Sequence, residues 1–143
     1  MYEILPELFL ASFNDVRLAG FDTNDYFIVN CTRDLPMLGP RGARIPVDDA
    51  PSQNNQMFQY FPLIVRKIRE RLVAGDAVIV HCRAGQQRSA AVIAAYLIRY
   101  NGMSKNEAIA YIRRCKSDAF YISATFDNAL TVWENAQVLR SLQ

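Results

Sequence analysis

A single histidine, His81, stands in 143 residues, so no His-rich or Cys/His metal cluster can be assembled and no metal or other cofactor is expected. Cysteine is nearly as sparse. Cys31, Cys82 and Cys115 are odd in number, widely spaced and never arranged as CxxC, which excludes a disulfide framework and implies free thiols in a reducing, cytoplasmic setting. No stretch approaches about 18 apolar residues, and the opening MYEILPELFLAS carries acids where a targeting segment needs a basic region ahead of an apolar one. A soluble chain with no membrane partner is therefore expected. Charge of one sign never accumulates: the formal net charge is +2 and no run of five or six like charges occurs, which argues against a nucleic-acid partner. Linkers, repeats and low-complexity segments are missing as well, so residues 1–143 read as one domain, long enough to bury a core.

What is present alternates. YFIVN (26–30), ARIPV (43–47) and AVIVHC (77–82) are short runs rich in β-formers, bounded by Gly, Pro or Asp, and read as buried strands. Between the last two, Phe58, Phe61, Val65, Ile68 and Leu72 recur at spacings of three and four, predicting an amphipathic helix that stops at Gly75. Pro62 is harmless there only if it falls in the first turn. The apolar run from Arg88 to Tyr100 predicts a buried helix ended by Asn101-Gly102, and Ser104-Lys-Asn-Glu107 matches a capping box opening a helix to about Cys115. Ser123 or Thr125 is expected to cap a last helix carrying Phe126, Leu130, Trp133 and Val138. The fold class is α/β: a central, mostly parallel sheet flanked by helices.

The stretch AVIVHCRAGQQRSAAVIAAYL (77–97) opens as a strand and closes as a helix, with the chemistry at the bend. A loop from a strand's C-terminal end into a helix N-terminus collects amides that have no intrahelical partner, and the helix dipole adds partial positive charge. Gly85 lets residues 83–87 curl so that these amides converge, and Arg88 offers a planar fork for two phosphate oxygens. Cys82 sits at the floor, where positive surroundings favour thiolate over thiol. Cys, Gly three later, Arg six later and a hydroxyl at Ser89 together describe a phosphate cradle with a nucleophile in it.

HCRAGQQRS resembles the HCxxGxxR(S/T) loop of the protein tyrosine phosphatase superfamily. The likeness extends along the chain: ILPELFLAS with FIVNCT is similar to the start of the small atypical dual-specificity phosphatases, RIPVDDAPSQN to their general-acid region, and MSKNEAIAYIRR to the helix after their catalytic helix. The larger tyrosine-specific enzymes carry a pocket-deepening loop for which this chain has no room. The resemblance implies a phosphorylated protein as substrate, with Cys82 as nucleophile, and phosphate bound by Arg83, Ala84, Gly85, Gln86, Gln87 and Arg88. It also implies an acid in VDDAPS, where Asp48 and Asp49 compete and alignment on the preceding Ile-Pro selects Asp49. By the same similarity Ser89 donates to the sulfur and makes Cys82 a better leaving group. Strand neighbours point to opposite faces, so a direct imidazole–thiolate pair is not expected; the resemblance implies instead that His81 hydrogen-bonds around the loop and helps set the Cys82 pKa. Neutral Gln86 and Gln87 stand where phosphoinositide-directed relatives carry lysines. Arg33, Arg41 and Arg44 could line the mouth, and Ser123 replaces an Asn that buttresses the loop in relatives. An RNA 5′-phosphatase and a phosphate-binding pseudoenzyme are the competing readings.

Overall fold

The computed structural model describes all residues, 1–143. Five strands, β1 (Tyr2–Leu5), β2 (Leu8–Ser12), β3 (Tyr26–Asn30), β4 (Gly42–Arg44) and β5 (Ala77–Cys82), form one sheet in the order β1-β2-β5-β3-β4. Only the β1–β2 hairpin is antiparallel; β5 pairs in parallel with β2 (Leu10↔Val80) and with β3 (Val29↔Val80). A central parallel strand is covered on both faces, which explains the unbroken apolar run of AVIVHC.

The long helices are α2 (Asn54–Val73), α3 (Arg88–Tyr100), α4 (Lys105–Cys115) and α5 (Asp127–Ser141); a short α1 (Phe13–Arg17) follows β2. Every residue of α3 from Ser89 to Ile98 is buried, as an all-apolar helix requires. It packs between the sheet, α2, α4 and α5, and Trp133 of α5 donates its indole N–H to the Ala95 carbonyl at 2.9 Å while its ring meets Phe61 edge-on. The opposite sheet face carries a smaller cluster of Ala11, Val16, Ile28 and Ile79.

Several expectations shift. The strands at 2–5 and 8–12 are additional to those expected from the sequence. The strand expected over 43–47 shortens to Gly42–Arg44: Ile45 still donates to the Asn30 carbonyl, but Pro46 has no amide with which to continue the ladder. Pro62 lies well past the first turn of α2, on its exposed face, where the amide it lacks would have served the Phe58 carbonyl. Neither Ser123 nor Thr125 caps α5; the Ala129 amide instead donates to Asn54 Oδ1, from the start of α2, at 2.8 Å. Val138 is exposed, so the apolar face of α5 ends earlier than its spacing indicated. The capping box of α4 forms as read, with Ser104 and Glu107 exchanging hydrogen bonds. The three cysteines are free.

Phe61 is fully buried between α5 and the sheet. Phe61→Ala should destabilise the domain by about 3–5 kcal/mol, read as a lowered urea midpoint; a loss under about 1 kcal/mol would show that α2 and α5 repack around the gap.

Candidate active site

Cys82 closes β5 and Arg88 opens α3, so five residues cross between the sheet's C-terminal edge and the helix N-terminus. How this loop distributes its backbone groups decides what it can bind. The Arg83 carbonyl accepts from the Phe13 amide at 3.1 Å and the Gln86 carbonyl from the Phe120 amide at 2.8 Å, while no amide of residues 83–87 donates to any protein acceptor. Carbonyls tied outward and amides left free make an anion-binding nest. Gly85 is required there twice over: its φ is +72°, and a Cβ would stand 2.8 Å from the Ala11 carbonyl oxygen. Cys82 Sγ lies at the base, 3 % exposed and 3.1 Å from Ser89 Oγ.

Arg88 donates from Nη1 to the Val47 carbonyl at 3.0 Å, which ties the helix N-terminus to the turn carrying Asp48 and Asp49. The two acids differ. Asp48 is held by Arg33 in an ion pair at 2.5 Å, whereas Asp49 is exposed and its carboxylate has no partner. Arg83 pairs with Asp34 at 3.3 Å and Lys116 with Asp118. Arg88 and Asp49 are thus the charges at the mouth without an ionic partner. Of the arginines considered for the mouth, only Arg33 stands beside the acid turn. Arg41 pairs with Asp76, and Arg44 spends its guanidinium on the Thr32 and Leu35 carbonyls, shaping the 32–36 loop.

Gln86 and Gln87 contribute their amides to the nest, but their side chains turn away from it. Gln86 Nε2 donates to Asp118 Oδ2 at 3.2 Å. Gln87, 7 % exposed, donates to the carbonyls of Tyr121 and Ser123 at 3.0 Å each and accepts from the Thr125 amide at 2.9 Å. Asn54 completes the clamp, donating to the Thr125 carbonyl at 3.0 Å. The buttress put in question by Ser123 is therefore built from the cradle side, by Gln87 on backbone. Sequence reading missed Gln87 and Asn54 in these roles, and no local pattern marks them, because their partners lie 34 to 75 residues away. Ala84 is exposed at the loop's outer turn.

His81 points away from the sulfur, its ring tilted against Phe13. Nδ1 lies 3.1 Å from the Cys82 carbonyl oxygen, which only an Nδ1–H can satisfy, and Nε2 is buried without a partner. Burial chiefly, with the Arg44 charge, pushes its pKa below the ordinary 6.5 against the opposing pull of the Cys82 carbonyl. The imidazole is neutral at pH 7 and positions the Cys82 peptide. Cys31, one residue past the Asn30↔His81 pairing, is fully buried; burial, aided by the negative charge available at Cys82, drives its thiol well up, with Arg88 opposing.

Comparisons with known proteins bear on the family and the fold. The family described as dual specificity phosphatase, catalytic domain, matches residues 8–136. Dual specificity protein phosphatase 22 of Xenopus tropicalis is 32% identical over 127 residues, covering 83% of this chain and 58% of that protein. Human dual specificity protein phosphatase 9 is 34% identical over 125 residues, 81% of this chain but 32% of that protein, so the chain spans only part of both relatives. Among solved structures, human DUSP28 superposes with a TM-score of 0.84 at 27% identity, covering 100% of each chain. The human tyrosine phosphatase-like serine/threonine/tyrosine-interacting protein does so with 0.84 at 27%, over 96% of this chain and 97% of that one.

Two outcomes test the supports. Gln87→Leu keeps the side chain's volume but removes its three bonds, and should lower turnover of any phosphate ester by about tenfold while speeding hydrogen exchange at the Thr125 amide; unchanged exchange would refute the clamp. For His81, the unfolded chain takes its proton near 6.5 and the folded one below that, so the unfolded state binds more protons as the pH drops. Stability present above pH 6.5 should decline as pH falls through the folded value. The urea midpoint should drop from pH 7.5 to pH 5.5, and His81→Asn should flatten that drop.

Proposed function

The chain belongs to the dual specificity phosphatase catalytic-domain family, and on that premise we propose that it hydrolyses phosphomonoesters on proteins, phosphotyrosine and phosphoserine or phosphothreonine alike, through a phosphocysteine intermediate. The observation that carries the reading is the loop of residues 83–87, its amides without a protein acceptor, running between Cys82, whose Sγ lies 3.1 Å from Ser89 Oγ, and Arg88.

In the first step the Cys82 sulfur attacks phosphorus in line, the S–P bond forms and the P–O bond to the leaving group breaks. The amides and the Arg88 fork hold the equatorial oxygens, whose charge they are arranged to meet without reorganising. Asp49, protonated, gives its proton to the departing oxygen. In the second step water attacks phosphorus, its proton goes to the Asp49 carboxylate, and the S–P bond breaks to release inorganic phosphate. Ser89 Oγ–H donates to the sulfur as it takes back negative charge. Asp48, engaged by Arg33, holds the turn in place of doing chemistry.

Charge at the mouth supports a monophosphate on protein over an RNA end or an inositol polyphosphate. Arg33, Arg83 and Lys116 are each neutralised by an aspartate, leaving no surplus of cations for a polyanion. Two clefts, about 600 Å³ beside α4 and α5 and about 410 Å³ between β4 and α2, lie away from Cys82.

Para-nitrophenyl phosphate, matched phosphopeptides and a 5′-triphosphorylated RNA, each assayed with chelator, test the proposal. Peptides of both classes and the aryl phosphate should turn over, and Cys82→Ser should abolish all activity. Asp49→Asn should slow the phosphopeptides by about 10²- to 10⁴-fold and activated aryl esters far less, with Asp48→Asn doing little of this. A leaving-group-dependent defect in Asp48→Asn alone would move the acid by one residue. Activity confined to RNA ends, or none with any substrate, would overturn the protein-phosphatase reading.

A further inference from the structure

Tyr121 and Ile122 are adjacent large apolar residues, 67% and 81% exposed, and no other large apolar side chain in the chain is as open as Ile122. Single exposed apolar residues are ordinary on protein surfaces. Here two neighbours stand out on a segment whose backbone is tied down from several sides. The Phe120 amide is held by the Gln86 carbonyl, the Tyr121 and Ser123 carbonyls by Gln87, and the Ala119 and Phe120 carbonyls by Arg113 at 3.1 and 3.3 Å. A segment fixed in this way presents its side chains outward as a rigid surface, and ordering it in advance removes part of the entropy that binding would otherwise cost.

Position gives that surface its occupant. The Phe120 amide donates to the Gln86 carbonyl at 2.8 Å, so the segment that bears Tyr121 and Ile122 borders the phosphate loop itself. An extended peptide advances about 3.3–3.6 Å per residue, which puts side chains one or two positions from a phosphorylated residue within reach of residues bordering the cradle. Of the cations near the shelf, Lys116 is paired with Asp118, which also accepts from Gln86, and Arg113 turns its guanidinium to the Ala119 and Phe120 carbonyls. The side chains that Tyr121 and Ile122 offer are themselves apolar, so an aliphatic side chain loses water against them.

We propose that Tyr121 and Ile122 form an apolar shelf that binds a hydrophobic side chain flanking the phosphorylated residue of the protein substrate. This inference rests on the phosphatase reading above and adds a selectivity to it: phosphoproteins with an aliphatic residue within two positions of the phosphate are preferred over those with glycine or aspartate there.

The test compares two phosphopeptides differing only in these flanks, one with leucine on both sides and one with glycine. Partial burial of one aliphatic side chain corresponds to about tenfold in kcat/KM, so wild type should favour the leucine peptide by about that factor. The ratio should fall toward one in Tyr121→Ala/Ile122→Ala and survive in Ile122→Leu. A wild-type ratio near one, or a ratio that persists in the double variant, overturns the shelf. The same peptides are titrated against Cys82→Ser, with and without the shelf substitutions, so that binding preference is read without turnover. Leucine-selective binding by Cys82→Ser in a protein whose wild type hydrolyses nothing would sink the phosphatase reading and leave the shelf standing. Equal binding of both peptides, combined with shelf-dependent sedimentation on phosphatidylcholine/phosphatidylserine vesicles, would assign these side chains to a lipid surface and overturn the peptide proposal.

Discussion

Residues 83–87 must leave their amides free for an anion while remaining too well held to collapse onto them, and much of the molecule is organised by that constraint. Free amides are costly in a folded chain, so such a loop persists only if its other groups are over-determined. The carbonyls are fixed by Phe13 on one side and Phe120 on the other, Gly85 presses against Ala11, and Arg88 reaches the Val47 carbonyl. The anchors come from three separate parts of the chain, residues 11–13, 47 and 120. The parallel placement of β2, β5 and β3 and the burial of α3 bring those parts to one edge of the sheet.

The same anchors distribute chemical roles among otherwise similar residues. Asp48 and Asp49 are neighbours of identical type, yet Arg33 engages one and leaves the other exposed and unpaired. Three cysteines likewise separate by surroundings: Cys82 borders free amides and Ser89, Cys31 is sealed in the core with its thiol driven toward the neutral form, and Cys115 sits half-buried at the end of α4. Imidazole orientation follows from strand geometry, because successive residues of β5 face opposite sides, and His81 accordingly supports the Cys82 peptide from behind.

Support reaches the cradle chiefly through two buried or half-buried amides. Gln87 and Asn54 grip Thr125 from its N–H and its carbonyl, and Asn54 also caps α5 through Ala129. One small network therefore couples the start of α2, the cradle and the start of α5. This is also why α5 needs no cap from its own preceding residues: the donor is satisfied across the fold, and Ser123 and Thr125 serve through their backbones.

Determinants that act over a few residues were legible in the sequence itself. The helix of Ser104–Cys115 follows from a capping box, the stop of α2 from Gly75 in a left-handed conformation, the central strand from an unbroken β-branched run, and the cradle from Cys82, Gly85, Arg88 and Ser89 at fixed spacing. Tertiary structure alone decided what depends on distant partners. The N-terminal hairpin takes its place by pairing β2 with β5, the fourth strand stops where its pairing with β3 stops, at Arg44, and Val138 lies exposed beyond the reach of the core. Gln86 and Gln87 read as phosphate-loop residues by position, but where their side chains go depends on a segment more than thirty residues away. Backbone propensity and spacing are properties of a short window of chain, whereas the partner of a buried amide or an exposed carboxylate exists only once the chain has closed on itself.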